Sequence, residues 1–197
     1  MKKMMALILC LISITAFGQE KIGSYSSSYF DGRSFNISAS EPKNGKFNVY
    51  IEVGGKHKTD DVQICVSNKN IEEFKSALVS VRDKFFEWKE TAEANNVKDI
   101  TKDFPYVFPK VDIAWYGSKW FFHFGKKISP TFFVFKDGSC AMVVYTKAQA
   151  SSNEYITQEV YWVLKEREEF DDIIKYLDEA FISDYFAKKN NAQDLFQ

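Results

Sequence analysis

The chain has 197 residues, of which 45% are hydrophobic, 17% aromatic and 27% charged, and its formal net charge is −1. This length accommodates one sizeable domain, or two small domains that share a core. A protein that binds nucleic acid through its phosphates normally carries a basic excess, so the balanced charge disfavours nucleic acid as a partner.

The N-terminal stretch predicts a secretory signal peptide over residues 1–18. Lys2 and Lys3 form a basic start, and an almost uninterrupted apolar run follows from Met4 to Phe17. This run is too short to span a bilayer, and it ends in small residues before a predicted cut at Gln19. The ending resembles the leaders of exported bacterial proteins. We therefore expect a periplasmic or secreted protein with no transmembrane segment after cleavage.

Cysteine positions leave two questions open. Cys10 could accept a lipid, but Leu7-Ile8-Leu9 lack the small residue that lipoprotein signals carry there, which favours a soluble, cleaved chain. After cleavage Cys65 and Cys140 remain. They could pair in an oxidising compartment, but pairing requires α-carbons within about 7 Å of each other, and the sequence does not settle that distance.

Residues 19–96 form the first predicted half, with four strands before one helix. The strands are expected over Tyr25–Phe30, Arg33–Ser40, Phe47–Val53 and Val62–Ser67, three of them with alternating apolar and polar residues. Apolar residues then recur every three or four positions from Ile71, which predicts a helix that ends near Asn95. Asn70 and Glu73 have the spacing of a capping box.

Residues 97–109 contain two prolines and are interpreted as a connector to a second half, residues 110–187. This half repeats the plan of strands before a helix. Strands are expected over Val111–Tyr116, Lys119–Phe124, Thr131–Phe135, Ala141–Tyr145 and Ile156–Leu164, with a hairpin turn at Asp137-Gly138. A helix is expected from about Arg167 to Phe186, and residues 188–197 are predicted to be a flexible tail.

These elements predict an α+β protein, mainly antiparallel sheet with two long helices. Shifting the chain by 96 positions superposes Glu72-Glu73-Phe74 on Glu168-Glu169-Phe170, so two pseudo-repeated ββββα halves are one interpretation, and two independently similar halves are the other. Four strands followed by a helix, twice over, resembles the topology of Pur-alpha-like and Whirly-like single-strand nucleic-acid binders. No motif residues accompany that resemblance, and the charge and the leader oppose such an activity.

The search for catalytic motifs finds no nucleophile elbow, zinc helix, phosphate loop or Cys-x-x-Cys pair. The two histidines are interpreted as structural or solvated: His57 lies in a polar loop, and His123 lies within a strand between phenylalanines. The acidic residues show no calcium-loop spacing and are interpreted as solvated faces. We therefore predict no catalytic residues, no metal and no cofactor.

The second predicted sheet is unusual because both of its faces are apolar. One interpretation is that one face packs on a helix and the other on the first half. The alternative is a partly open aromatic groove, which suits a glycan, a peptide or a protein partner. For this groove the predicted ligand-binding residues are Tyr116, Trp120, Phe121, His123, Phe133, Tyr145 and Tyr161.

The favoured hypothesis is a non-enzymatic exported binding or interaction module that uses this aromatic sheet face. One alternative is an exported hydrolase whose site forms around His123, with a nucleophile within hydrogen-bond reach of the ring. Another is a structural, envelope-associated component with a flat apolar surface.

Overall fold

The computed structural model describes residues 18–194, so the predicted signal peptide lies outside them apart from Gly18. Within those residues the chain forms two antiparallel sheets and three α-helices, which confirms the predicted α+β class. The sheets contribute their apolar faces to one continuous core.

Sheet A contains six strands in the order β1-β2-β3-β4-β6-β7. Their bounds are β1 Gln19–Ser27, β2 Arg33–Ser40, β3 Asn48–Val53, β4 Val62–Ser67, β6 Val111–Tyr116 and β7 Trp120–Lys126. Alternation along the strands buries one face of the sheet, because successive side chains of a strand point to opposite sides. Phe35, Ile51, Ile64 and Ile113 lie on that buried face.

Sheet B contains four strands in the order β10-β9-β8-β5. Their bounds are β5 Ile100–Asp103, β8 Thr131–Val134, β9 Cys140–Ala150 and β10 Asn153–Leu164. The Asp137-Gly138 turn joins β8 to β9 as predicted, and β9 and β10 form a long hairpin. Sheets A and B meet where Gly54 and Tyr161 exchange backbone hydrogen bonds of 2.9 and 2.8 Å.

The two sheets do not follow the two predicted halves. Strands β6 and β7 belong to the second predicted half, yet they extend sheet A through the pairing of Ile64 with Ile113. The predicted connector contains β5, which forms the edge of sheet B. Alternation in a sequence predicts a strand but not which strand it pairs with. The assignment of β6 and β7 to sheet A, and of β5 to sheet B, therefore does not follow from the sequence pattern. The pseudo-repeat stays a prediction.

Helix α1, Ile71–Ala94, lies in the core and contacts strands of both sheets. Its predicted apolar stripe and C-terminal end are confirmed, since Phe74, Leu78 and Phe85 are fully buried and the helix ends at Ala94. The predicted capping box is wrong. The Asn70 side chain caps nothing in α1 and instead donates to the Lys110 carbonyl at 2.8 Å.

The predicted second helix is divided into α2, Arg167–Tyr176, and α3, Glu179–Asp194. Asp178 lies at the break, where its carboxylate accepts a 3.0 Å hydrogen bond from the Phe181 backbone and so caps the start of α3. Residues 188–194, predicted as part of a tail, continue α3 in the structure. No helix among the described residues is long and apolar enough to cross a membrane.

A buried carboxylate fastens α2 to the turn that follows β1. Glu169 is buried and accepts hydrogen bonds from the backbone N–H groups of Ser28 at 2.6 Å, Lys165 at 2.5 Å and Glu166 at 3.2 Å. Three charge-assisted bonds satisfy the charge that burial would otherwise penalise. They fix the 3-10 turn Ser28–Phe30 beside the C-terminal end of sheet B's strand β10.

Candidate aromatic binding site

The outer face of sheet B, away from α1, carries a row of aromatic side chains. Tyr145 and Tyr161 are direct cross-strand partners, and Phe133 follows on β8, on the same face by the register of the strands. Phe135 and Tyr29 extend the row, at ring-centroid distances of 6.1 Å between Phe133 and Phe135 and 6.3 Å between Phe135 and Tyr29. We call these five residues the aromatic strip.

The hydrophobic core uses the opposite face of sheet B, and the outer face is partly accessible, since Ala141 and Val163 on it are buried whereas Tyr145 is not. On that inner face, Phe132 packs 5.7 Å from Phe85 of α1, and Trp162 packs 6.0 Å from Phe74. Nothing comparable covers Tyr145, which is 55% exposed, while Phe133, Phe135 and Tyr161 are half-buried by their neighbours. The sequence predicted two apolar faces on this sheet, and the structure buries one of them.

The rings of the strip contact one another in two groups, Tyr145–Tyr161 and Phe133–Phe135–Tyr29. The planes of Tyr145 and Tyr161 differ by 37°, those of Phe133 and Phe135 by 30°, and those of Tyr29 and Phe135 by 21°. Several rings in the core meet edge to face instead, for example Phe85 and Phe132 at 64°. The core also contains stacked pairs, such as Phe74 and Trp162 at 16°, so the strip differs from the interior in its exposure and not in the orientation of its rings.

One end of the strip opens into a cavity of about 820 Å³, which we call the end cavity. Its size lies within the range of about 300–1,000 Å³ typical of small-molecule sites. Tyr29, Phe133 and Phe135 supply its apolar wall. The polar side chains around it are Asp99, Thr101, Lys136, Asp137, Ser139 and Lys165.

Hydrogen bonds fix two of the polar groups along this surface. Ser139 donates to the Asp137 carboxylate through its backbone N–H at 2.9 Å and its hydroxyl at 2.8 Å, and these bonds hold the pKa of Asp137 below its ordinary value. The Tyr161 hydroxyl donates to Glu159 at 2.7 Å, which raises the pKa of Tyr161 to about 12. Tyr161 therefore stays neutral at physiological pH.

The structure brings together only three of the seven predicted ligand-binding residues, Phe133, Tyr145 and Tyr161. Tyr116 and Trp120 pair with each other on sheet A, and no ring contact among the described residues joins them to the strip. Phe121 is a correction: it is 8% exposed and stacks on Trp115 in the core of sheet A, at a centroid distance of 5.8 Å. The sequence predicts all seven on one sheet. In the structure they are divided between two sheets, because β6 and β7 pair with β4 in sheet A.

His123 links the two sheets. Its Nδ1 lies 2.9 Å from the carbonyl oxygen and 3.1 Å from the backbone nitrogen of Gln149 on β9. Among the described residues no hydroxyl, thiol or carboxylate side chain hydrogen-bonds to this imidazole. The alternative of a hydrolase around His123 thus gains no support from its surroundings.

Sequence reasoning missed Tyr29 and the polar residues of the end cavity. Tyr29 was assigned to a strand, whereas β1 ends at Ser27 and the Ser28–Phe30 turn directs the chain across the end of sheet B. The polar run Ser26-Ser27-Ser28 is the signal that could have indicated the break. Asp99 and Lys165 line the same cavity only because of the fold, since they lie 66 positions apart in the chain.

Residues 18–194 contain neither a disulfide bond nor a group of side chains that could hold a metal ion. Cys65 in sheet A and Cys140 in sheet B are both buried and unpaired, and burial raises the pKa of each thiol. In this part of the chain, no group of three or more His, Cys, Asp or Glu side chains is arranged to hold a metal ion.

Comparisons of the chain with protein families, with curated proteins and with solved structures found no match.

Proposed function

We propose that this protein is an exported, non-enzymatic binding module that holds its ligand on the aromatic strip. The observation that carries the proposal is a set of five exposed or half-buried aromatic side chains on a sheet whose other face packs on α1. Exposed aromatic patches of this kind are typical of binding surfaces, because rings contribute a large contact area at a low entropic cost. A glycan, a peptide or a protein partner could use such a surface.

The rigid support of the strip favours binding over a role in packing alone. Tyr145, Tyr161 and Phe133 project from paired strands, and the end cavity adds polar groups that can orient a ligand. Sites on such elements hold their side chains more accurately than sites on loops. Little rearrangement is then needed when a ligand binds, which limits the entropic penalty of association.

The test of binding is an array of glycans and peptides probed with the purified, folded protein and with the double variant Tyr145→Ala/Tyr161→Ala. We expect a defined set of ligands that the native protein retains and the double variant loses. The matched control is Tyr116→Ala, which removes a tyrosine of similar exposure, 53%, from sheet A. Ligands that survive the double variant but are lost with Tyr116→Ala would refute the strip as the site.

Export is the second part of the proposal, and it rests on the leader. A cut before Gln19 would leave all of the described strands intact, since β1 begins at that residue. We expect the mature chain to begin at Gln19 when the full chain is expressed in a bacterium and the periplasm and medium are analysed by intact mass. Leu9→Arg, which interrupts the apolar run, should retain the full-length chain in the cytoplasm. A native chain that keeps residues 1–18 in the cytoplasmic fraction would contradict export.

A further inference from the structure

We infer that the ligand of the aromatic strip is a neutral oligosaccharide, an inference that rests on the proposed function and names its ligand class. Three observations lead to it: the orientation of the rings, the balance of charge around them, and the way the strands beneath them are paired.

The orientation of the rings suits the flat, apolar side of a sugar. A pyranose ring presents C–H groups on its faces and hydroxyls around its edge, so it lies against an aromatic ring as a second plane would. The strip offers two groups of rings, and within each group the planes of contacting rings differ by 37° or less. Phe133 and Tyr145 are offset by four positions along adjacent strands, which corresponds to about 14 Å. A ligand of several sugar rings in a row could contact both.

Three lysines and four carboxylates lie beside the strip, one of them Asp103 on β5, which shares the outer face with Phe133, so the charges nearly cancel. The end cavity has two lysines, Lys136 and Lys165, and two aspartates, Asp99 and Asp137. Farther along, Lys147 on β9 is the cross-strand partner of Glu159 on β10. A site for a polyanion or a polycation would carry an excess of the opposite sign. This balance favours an uncharged ligand whose hydroxyls can donate to the carboxylates and accept from the lysines.

The pairing of the strands disfavours a peptide laid along the strip. Strand β8 is paired with β5 and β9 along its length, and β9 is paired on both sides at Met142 and Val143, so the backbone groups beneath this part of the strip are used within sheet B. Peptides that bind sheets generally add to a free edge, where the main chain supplies hydrogen bonds. On the face of the sheet, a peptide would bury its own amide groups against aromatic rings without partners, which is unfavourable. A sugar that lies flat on the rings, by contrast, keeps its hydroxyl groups at the edge of its own ring, where water can still hydrogen-bond to them.

The experiment is isothermal titration of the folded protein with defined hexasaccharides. The neutral probes are β-1,4-linked glucose, xylose and mannose hexamers, the acidic probe is the galacturonic acid hexamer, and an extended hydrophobic peptide completes the panel. We expect at least one neutral hexamer to bind, its disaccharide to bind more weakly, and the acidic hexamer and the peptide not to bind. Raising the ionic strength from about 0.01 M to about 1 M shortens the Debye length from about 30 Å to about 3 Å and should leave this affinity unchanged.

Variants connect the binding to the strip. Tyr145→Ala should weaken the neutral hexamer about tenfold, because it removes one stacking ring, whereas Tyr116→Ala should have no effect. Melting curves of both variants show whether they are folded. Strip-dependent binding of the acidic hexamer or the peptide alone would overturn the ligand class but keep the proposed function. No binding by any probe, or a dimer of the chain that Tyr145→Ala dissociates, would likewise overturn the ligand class alone, since a protein partner still fits the proposed function. Binding that is unchanged in Tyr145→Ala would overturn both.

Discussion

At the scale of single residues, the Glu169 carboxylate holds the turn after β1 against the start of α2. Glu169→Gln keeps the shape of the side chain but replaces one acceptor oxygen with an NH2 group that faces backbone donors. We expect a loss of about 1–3 kcal/mol in the free energy of unfolding, measured by urea denaturation, because three backbone N–H groups lose a charged acceptor at a buried position. Glu168→Gln is the matched control on the exposed side of the same helix and should have no effect. Equal stabilities of the two variants would contradict the role of Glu169.

The close approach of α2 to β1 depends on a glycine. A β-carbon added at Gly23 would lie 2.1 Å from the ring of Tyr176, so Gly23→Ala must displace that ring or the strand. We expect Gly23→Ala to lower the stability by about 1–3 kcal/mol in thermal or urea unfolding, as overpacking commonly does. The double variant Gly23→Ala/Tyr176→Ala should restore part of the loss, since the ring is then absent. A double variant no more stable than Gly23→Ala would show that strain elsewhere is responsible.

At the scale of elements, Asp178 joins three helices. It caps α3 and forms an ion pair of 2.8 Å with Lys75 of α1, and the hydrogen bond from Lys75 is the main reason that the pKa of Asp178 lies below its ordinary 3.8. A lowered pKa in the folded state stabilises the protein above pH 3.8. That contribution is lost as the pH falls through the folded-state pKa.

Two substitutions separate the cap from the ion pair. Asp178→Asn keeps a capping side chain but removes the charge, so we expect a loss of at most about 1 kcal/mol at neutral pH, because the pair is partly exposed. Asp178→Ala should cost about 1 kcal/mol more, since the cap is lost as well. In acid the native protein and Asp178→Asn should converge, which urea midpoints at several pH values would measure. If the difference in urea midpoint between the native protein and Asp178→Asn stays constant down to acid pH, the charge of Asp178 does not contribute as described.

Local patterns predicted most of these elements, and the reasons for the failures are physical. The alternation of Val49, Ile51 and Val53 and the helical spacing of Phe74, Leu78 and Phe85 follow from one buried face each, which a sequence displays directly. The pairing of Ile64 with Ile113 depends on which free edge β6 meets, and alternation contains no such information. Phe121 and Tyr145 look alike in sequence because both lie in aromatic strands, yet one is core and the other is exposed.

At the scale of the whole molecule, both predicted halves contribute strands to sheet A, so we expect the chain to unfold as one cooperative unit. Trp115 reports on sheet A and Trp162 on sheet B, and α1 packs between strands of both sheets. We expect a single urea transition at which tryptophan fluorescence and far-ultraviolet circular dichroism coincide. In Trp115→Phe, and likewise in Trp162→Phe, the fluorescence and circular dichroism midpoints should again coincide with each other. Two separate midpoints would show instead that the predicted halves around residues 97–109 unfold independently.

The contact of α3 with β1 bears on the order of folding. The hydroxyl of Tyr185 donates to Glu20 at 3.0 Å, and Lys189 forms an ion pair with the same carboxylate, so the start of the first strand is held by the last helix. These partners lie 165 and 169 positions apart in the chain. Bringing them together closes a long loop, and this step is slow because the chain loses conformational entropy before the contacts stabilise it. A chain that emerges from its N-terminal end cannot complete sheet A's outer edge until almost all of it has emerged. Until then the start of β1 lacks its contacts with α3, and β1 is an edge strand of the kind that can pair with another chain.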